Sequence, residues 1–173
     1  QYALPSVYGG MPLADLGQAD PGSGEFSYYA PLNVTNPTGW RSTIIVQNAG
    51  PDCAAVQLVY RTTSACQTPV TDTITSLAPG EARRLSPPTG LEAALSSLQL
   101  SSTQPLAVLV DEVRNDYVKW TFRAWPGSEA QAVNEGALVY KNYNGWQSSV
   151  QVQNLGANDA LVQVRVLSLS GAL

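Results

Sequence analysis

No histidine occurs among the 173 residues. That removes Ser-His-Asp and Cys-His nucleophile systems, and with them the common His-containing zinc sites. The two cysteines, Cys53 and Cys66, cannot by themselves complete a structural zinc site. The densest acidic run is Asp111-Glu112-Val113-Arg114-Asn115-Asp116. On a strand, adjacent side chains point to opposite faces, so Asp111 and Glu112 do not converge as an acid–base pair. Glu112 and Arg114 share a face and are placed to pair with each other. Asp116 with Asn115 has the oxygen chemistry of a calcium ligand at a strand end, but turn and salt-bridge roles account for the same residues. GxSxG, P-loop and GxGxxG patterns are all missing from the sequence. The expectation is a protein that is not an enzyme, with no cofactor and no metal.

The aromatic residues offer binding chemistry instead. Trp120 and Phe122 fall on one strand face with Trp125 close by in sequence, and such rings either fill a core or stack on sugars. Trp40 and Trp146 each stand just before a strand, which points to packing at a sandwich end. Tyr28-Tyr29 and Tyr140…Tyr143 flank the starts of the same segments.

The elements that would carry these residues are short strands. Ile44 and Val46 alternate with Thr43, Ile45 and Gln47, while Val150 and Val152 alternate with Ser149, Gln151 and Gln153. A period of two with one apolar face is the pattern of a strand covering a core on one side. Asn48-Ala49-Gly50-Pro51-Asp52 and Asn154-Leu155-Gly156-Ala157-Asn158-Asp159 supply the Gly and Asn of chain reversals. Val56, Leu58 and Tyr60 form the next apolar face, echoed by Val162, Val164 and Val166. Further strands are expected near 70–76, 82–86, 97–102, 106–114 and 117–124. A short helix is expected at Leu91–Ser97, and 9–27 reads as a loop or linker.

The sequence carries an internal repeat. Gly39–Gly50 recurs as Gly145–Gly156 at a constant offset of 106 positions, and the match continues through Ala54/Ala160, Val56/Val162 and Gln57/Gln163. Pro21-Gly22-Ser23 resembles Pro126-Gly127-Ser128 at an offset one shorter. A period near 100 residues suits one Ig-like sandwich per repeat. The predicted organisation is an all-β, Ig-like antiparallel β-sandwich repeat cut out of phase. Residues 1–29 would be a partial repeat or linker, 30–135 a complete unit, and 136–173 the first strands of a second. Head and tail together lack the counterpart of about residues 68–106.

Composition bounds the surroundings. Charged residues make up 13%, about half the roughly 25% of ordinary soluble domains. No apolar run approaches the ~20 residues of a spanning helix, so no membrane span is expected. The net charge is −4 and only nine Lys and Arg are spread along the chain, leaving no basic stripe for nucleic acid. The first residue is Gln1 rather than Met, as in a processed or excised chain. Export would favour a Cys53–Cys66 disulfide, with free or interchain thiols as alternatives. The bridge has a geometric difficulty, because a regular hairpin would put the two cysteines near opposite ends. Asn33-Val34-Thr35 forms a glycosylation sequon.

At Leu138-Val139-Tyr140-Lys141-Asn142-Tyr143-Asn144-Gly145-Trp146, followed by Val150-Gln151-Val152-Gln153-Asn154, the chain resembles tandem β-sandwich repeats. These belong to large secreted or surface proteins of filamentous Chloroflexota-type bacteria. Gln104–Val108 and Val110–Val113 resemble the later strand pair of that repeat. The resemblance implies an extracellular or cell-surface location and carries no catalytic residues with it.

The expected function is that of a structural subunit of a surface filament or array, a homo-polymer joined by β-strand complementation. Donor strands would come from the segment holding Tyr2, Leu4 and Val7, or from the run holding Val162, Val164 and Val166. The alternative is an accessory or adhesive module that binds polysaccharide.

Overall fold

The computed structural model describes residues 16–20, 22–35, 39–62, 68–88, 91, 94–115, 118–134, 139, 141–144 and 146–167. The chain divides into two compact units, Gln1–Ala130 and Gln131–Leu173. The first holds β1 (Phe26–Thr35), β2 (Trp40–Asn48), β3 (Ala54–Thr62), β4 (Val70–Leu77), β5 (Ala82–Leu85), β6 (Ala94–Ser102), β7 (Leu106–Arg114), β8 (Val118–Arg123) and β9 (Trp125–Pro126). The second holds β10 (Lys141–Tyr143) and β11 (Trp146–Gln147).

In the first unit the hydrogen-bonded path runs β4-β3-β6-β1-β2-β7-β8, with β5 added to β2 and β9 to β1. Every pairing is antiparallel. The link between β1 and β2 is a single register pair, Thr35↔Arg41. That corner separates a layer of β4, β3, β6, β1 and β9 from a layer of β5, β2, β7 and β8. On the far side the chain crosses at Ala124, whose N–H bonds the Val108 carbonyl at 2.9 Å, so β8 pairs with β7 while β9 pairs with β1. The architecture is an all-β sandwich.

Alternation dictates the core. Ile44 and Val46, Val56, Leu58 and Tyr60, Leu98 and Leu100, and Leu106, Val108 and Val110 are buried at every second position of their strands and form one cluster. Each such side chain stabilises by about 1.5–3 kcal/mol on burial, enough to set the register of every strand that contributes two or more. Tyr28 closes one end. Its hydroxyl donates to the Leu16 carbonyl at 2.7 Å and accepts the Leu106 N–H at 2.7 Å.

Three expectations are corrected. The boundary after residue 29 falls inside β1, because Phe26–Ala30 pair with Leu98–Ser102 and Tyr28 and Ala30 are core residues. The helix at Leu91–Ser97 gives way to β6 from Ala94. The Glu-Ala-Ala-Leu stretch favours a helix locally, but Leu98 and Leu100 alternate, and β6 lies between β1 and β3 with both edges bonded. Lastly, Asn33 is 1% exposed, beside a bulge in β1, so the folded unit has no room for a glycan on the sequon.

The Cys53 thiol is free and exposed. Cys66 lies outside the described residues, as do Tyr2, Leu4, Val7, Asp116 and the Trp146 side chain. The β3–β4 register from Val56↔Ile74 to Tyr60↔Val70 is the regular arrangement in which a Cys53–Cys66 bridge is hard to close.

Candidate functional site

The second unit repeats the opening of the first, down to individual bonds. In the first, Thr35 pairs with Arg41 at the corner; in the second, Lys141 pairs with Gln147, each 106 positions later. Asn144 takes a left-handed φ of 49° between β10 and β11, a backbone conformation that Asn tolerates and tight hairpins need.

The turn that follows is the same in both units. The Asn48 Oδ1 accepts the Gly50 N–H at 2.9 Å, and its Nδ2 donates to the Asp52 carbonyl at 2.7 Å. Asn154 Oδ1 accepts the Gly156 N–H at 2.9 Å, and its Nδ2 donates to the Asn158 carbonyl at 2.7 Å. This turn forms without help from the rest of a sandwich, since its bonds close within five residues.

The two copies part where other strands would be needed. Asn48 Nδ2 also donates to the Leu77 carbonyl on β4 at 2.8 Å, and the Asn48 backbone bonds Glu81 and Gly80. Residues 131–173 carry counterparts of the end of β1, of β2 and of β3, but none of β4 to β8. Ile44 and Val46 are fully buried; their counterparts Val150 and Val152 are each 57% exposed. Val162, Val164 and Val166 are 52%, 58% and 60% exposed, where Val56, Leu58 and Tyr60 are core. The run 148–155 is not paired as a strand. An apolar stripe of this kind, outside any strand ladder, can take up an additional strand.

What covers the stripe in the first unit is β7, in the register Trp40↔Arg114 to Asn48↔Leu106. Val110 lies opposite Ile44, Val108 opposite Val46, and one polar pair interrupts the apolar series. The Ser42 hydroxyl bonds Glu112 Oε1 at 2.7 Å and accepts the Val34 N–H at 2.6 Å. Glu112 is completely buried, and its Oε2 has no partner among the described residues. Burial pushes its carboxyl up to about 7, with the Ser42 hydroxyl opposing and the charge of Asp111 adding to the rise. The pairing of Glu112 with Arg114 anticipated from their shared face does not form. Arg114 lies instead over the Trp40 ring, 5.8 Å from its centroid. Asp111, on the other face, accepts from the Thr121 hydroxyl. Sequence reasoning passed over Ser42 and Ser148, although their recurrence at the same offset was a readable signal.

The aromatic residues separate into two groups. Phe122 packs against the core, so it is no surface platform. Trp40 and Trp120 stack at 4.6 Å between centroids with a 43° tilt. The Arg123 guanidinium sits 4.6 Å over Trp125. Trp120 and Trp125 are each about half exposed. Among the described residues, no group of three or more His, Cys, Asp or Glu could hold a metal ion, and no helix is long and apolar enough to cross a membrane.

No family model and no curated protein matches the chain. The crystal structure of Thermotoga maritima 1070 is similar to it, with a TM-score of 0.50 and 14% sequence identity, over 58% of this chain and 92% of that one. A likeness at that identity bears on the fold alone.

Proposed function

We propose that the chain is a non-catalytic structural subunit of an extracellular filament or surface array, in which a neighbouring copy covers the exposed apolar stripe of residues 150–166 by strand complementation. The observation that carries this reading is the contrast between equivalent residues, Ile44 and Val46 buried but Val150 and Val152 exposed. Burying four or five such side chains at ~1.5–3 kcal/mol each exceeds the ordering cost of a short strand and gives a durable joint. The low content of charge suits a surface that is largely covered by neighbours, and the likeness to secreted repeats supports a location outside the cell.

The test is light scattering and negative-stain microscopy of the intact chain, of a chain lacking residues 1–8, and of one ending at Ala130. Loss of the second unit should abolish assembly, and loss of residues 1–8 should abolish it if that segment is the donor. An intact chain that stays a monodisperse monomer at high concentration refutes the reading. The half-exposed Trp120 and Trp125 favour polysaccharide adhesion as a second reading. It predicts retention of the folded chain on an insoluble glycan, lost in the doubly Ala-substituted variant.

A further inference from the structure

We infer that one end of the first sandwich is a two-position latch, in which Glu112 exchanges its hydrogen bond with Ser42 for an ion pair with Arg114 and so releases the Trp40–Trp120 pair. All of its parts lie in the first unit, so it stands independently of the assembly proposed above.

The structure holds the closed position. Glu112 Oε1 accepts from the Ser42 hydroxyl at 2.7 Å, and that hydroxyl accepts the Val34 N–H at 2.6 Å, so the carboxyl is tied through Ser42 to β1. Trp40 stands opposite Arg114, and Trp120 opposite Glu112. The two rings come from the strands on either side of β7 and meet at 4.6 Å between centroids. The Arg114 guanidinium lies 5.8 Å from the Trp40 centroid, near the ~6 Å limit of a cation–π contact. Arg114 is exposed, so little holds it on the ring.

Ionisation favours leaving that position. A carboxylate seeks donors for both oxygens, whereas Glu112 is completely buried and its Oε2 has no partner among the described residues. Other charges on the packed strands belong to other positions. Asp111 lies on the opposite face of β7, and its like charge opposes ionisation. Arg41 and Lys119 stand opposite Val113, Arg123 opposite Leu109, and Arg61 opposite Ser97. β1 and β6 carry no Asp, Glu, Lys or Arg. Of the tyrosines, Tyr28 bonds Leu16 and Leu106, Tyr29 stands opposite Gln99, and Tyr60 opposite Leu98. Arg114 shares the face of Glu112 two residues along, about 7 Å away on the strand and within reach of its long side chain. Burial, with Asp111 adding to it, holds the carboxyl up to about 7, so the latch is closed below neutral pH and opens above it. Opening takes the cation from Trp40 and the carboxyl from beside Trp120, which lets water reach the ring pair.

Acrylamide quenching of tryptophan fluorescence reads the latch in the full-length chain carrying Trp125→Phe and Trp146→Phe, where Trp40 and Trp120 are the remaining indoles. The chain has no histidine, so a transition near neutral pH has few other owners. Quenching should rise about two-fold between about pH 5 and about pH 9, with the strand signal in far-ultraviolet circular dichroism unchanged. Glu112→Gln should keep the low-pH value throughout. Arg114→Gln, at an exposed position, should move the midpoint up by about one pH unit, and Arg114→Lys should restore it. A flat profile before substitution at Glu112, a transition that survives Glu112→Gln, or a midpoint indifferent to Arg114→Gln would each overturn the inference. So would loss of the strand signal in step with the quenching, which marks unfolding rather than exchange.

Discussion

Glu112→Gln isolates the most consequential buried group of the first unit. The folded state holds the Glu112 proton up to about 7, whereas the carboxyl titrates at an ordinary 4.5 when exposed. The folded protein therefore binds more protons than the unfolded chain across that interval. Its contribution to stability is fully present below about pH 4.5 and is lost as pH rises through about 7. The difference between the two values amounts to about 3 kcal/mol at 1.36 kcal/mol per pH unit. Gln keeps an oxygen for the Ser42 hydroxyl and has no proton to lose. The gap between variant and wild type should then widen in favour of the variant by about 3 kcal/mol from pH 4 to pH 8. With 4–8 °C per kcal/mol for a domain near 100 residues, the relative melting temperature should move by roughly 10 °C or more. Thermal unfolding followed by near-ultraviolet circular dichroism at half-unit pH steps measures it. Parallel curves for the two proteins across the range would refute the argument that burial holds this carboxyl protonated.

The remaining predictions concern single side chains. Tyr60 is core, and its hydroxyl has no partner among the described residues, so Tyr60→Phe should raise stability by about 1 kcal/mol in urea unfolding; a loss would reveal a hidden bond. Asn48→Ala removes the bonds to Gly50, Asp52 and Leu77 and should cost the main thermal transition about 2–3 kcal/mol. Asn154→Ala, whose bonds are local and exposed, should leave that transition within ~0.5 kcal/mol. Equal effects would contradict the difference drawn between complete and partial units. Cys53 should react with a thiol reagent without prior reduction. At about 3.3 Å per residue, β3 carries Thr62 roughly 26 Å from Ala54, more than the four residues onward to Cys66 can retrace. A native protein inert to the reagent would refute this.

Much of the sandwich could be read from alternation. Ile44/Val46, Val56/Leu58/Tyr60 and Leu106/Val108/Val110 each announce a strand and its inner face, and the 106-residue offset announces the second copy. Leu91–Ser97 misled because local helix propensity competes there with pairing to β1 and β3, which are distant in sequence. The boundary after residue 29 misled for a related reason. Tyr28 looks like a flanking aromatic until its hydroxyl is seen bridging Leu16 and Leu106. The Ser42–Glu112 contact joins residues 70 apart, and nothing in either segment alone says that a carboxyl will face a serine in the core. Asn33 looked available because a sequon is local, whereas its burial depends on where β1 bulges.

The pairing of β2 with β7 also bears on how the protein is made. Residues 40–48 and 146–154 present nearly the same face, so β7 faces two near-equivalent partners in one chain. During synthesis the choice is decided by arrival. β7 leaves the ribosome about 40 residues ahead of the second copy, a lead of roughly 2–8 s at 5–20 residues per second. Domains of this kind fold in milliseconds to seconds, so the first sandwich can shut before its competitor exists. A chain refolded from denaturant has no such head start. It meets both partners at once and risks threading β7 onto the wrong copy, which makes the vectorial order of translation part of what directs β7 to β2.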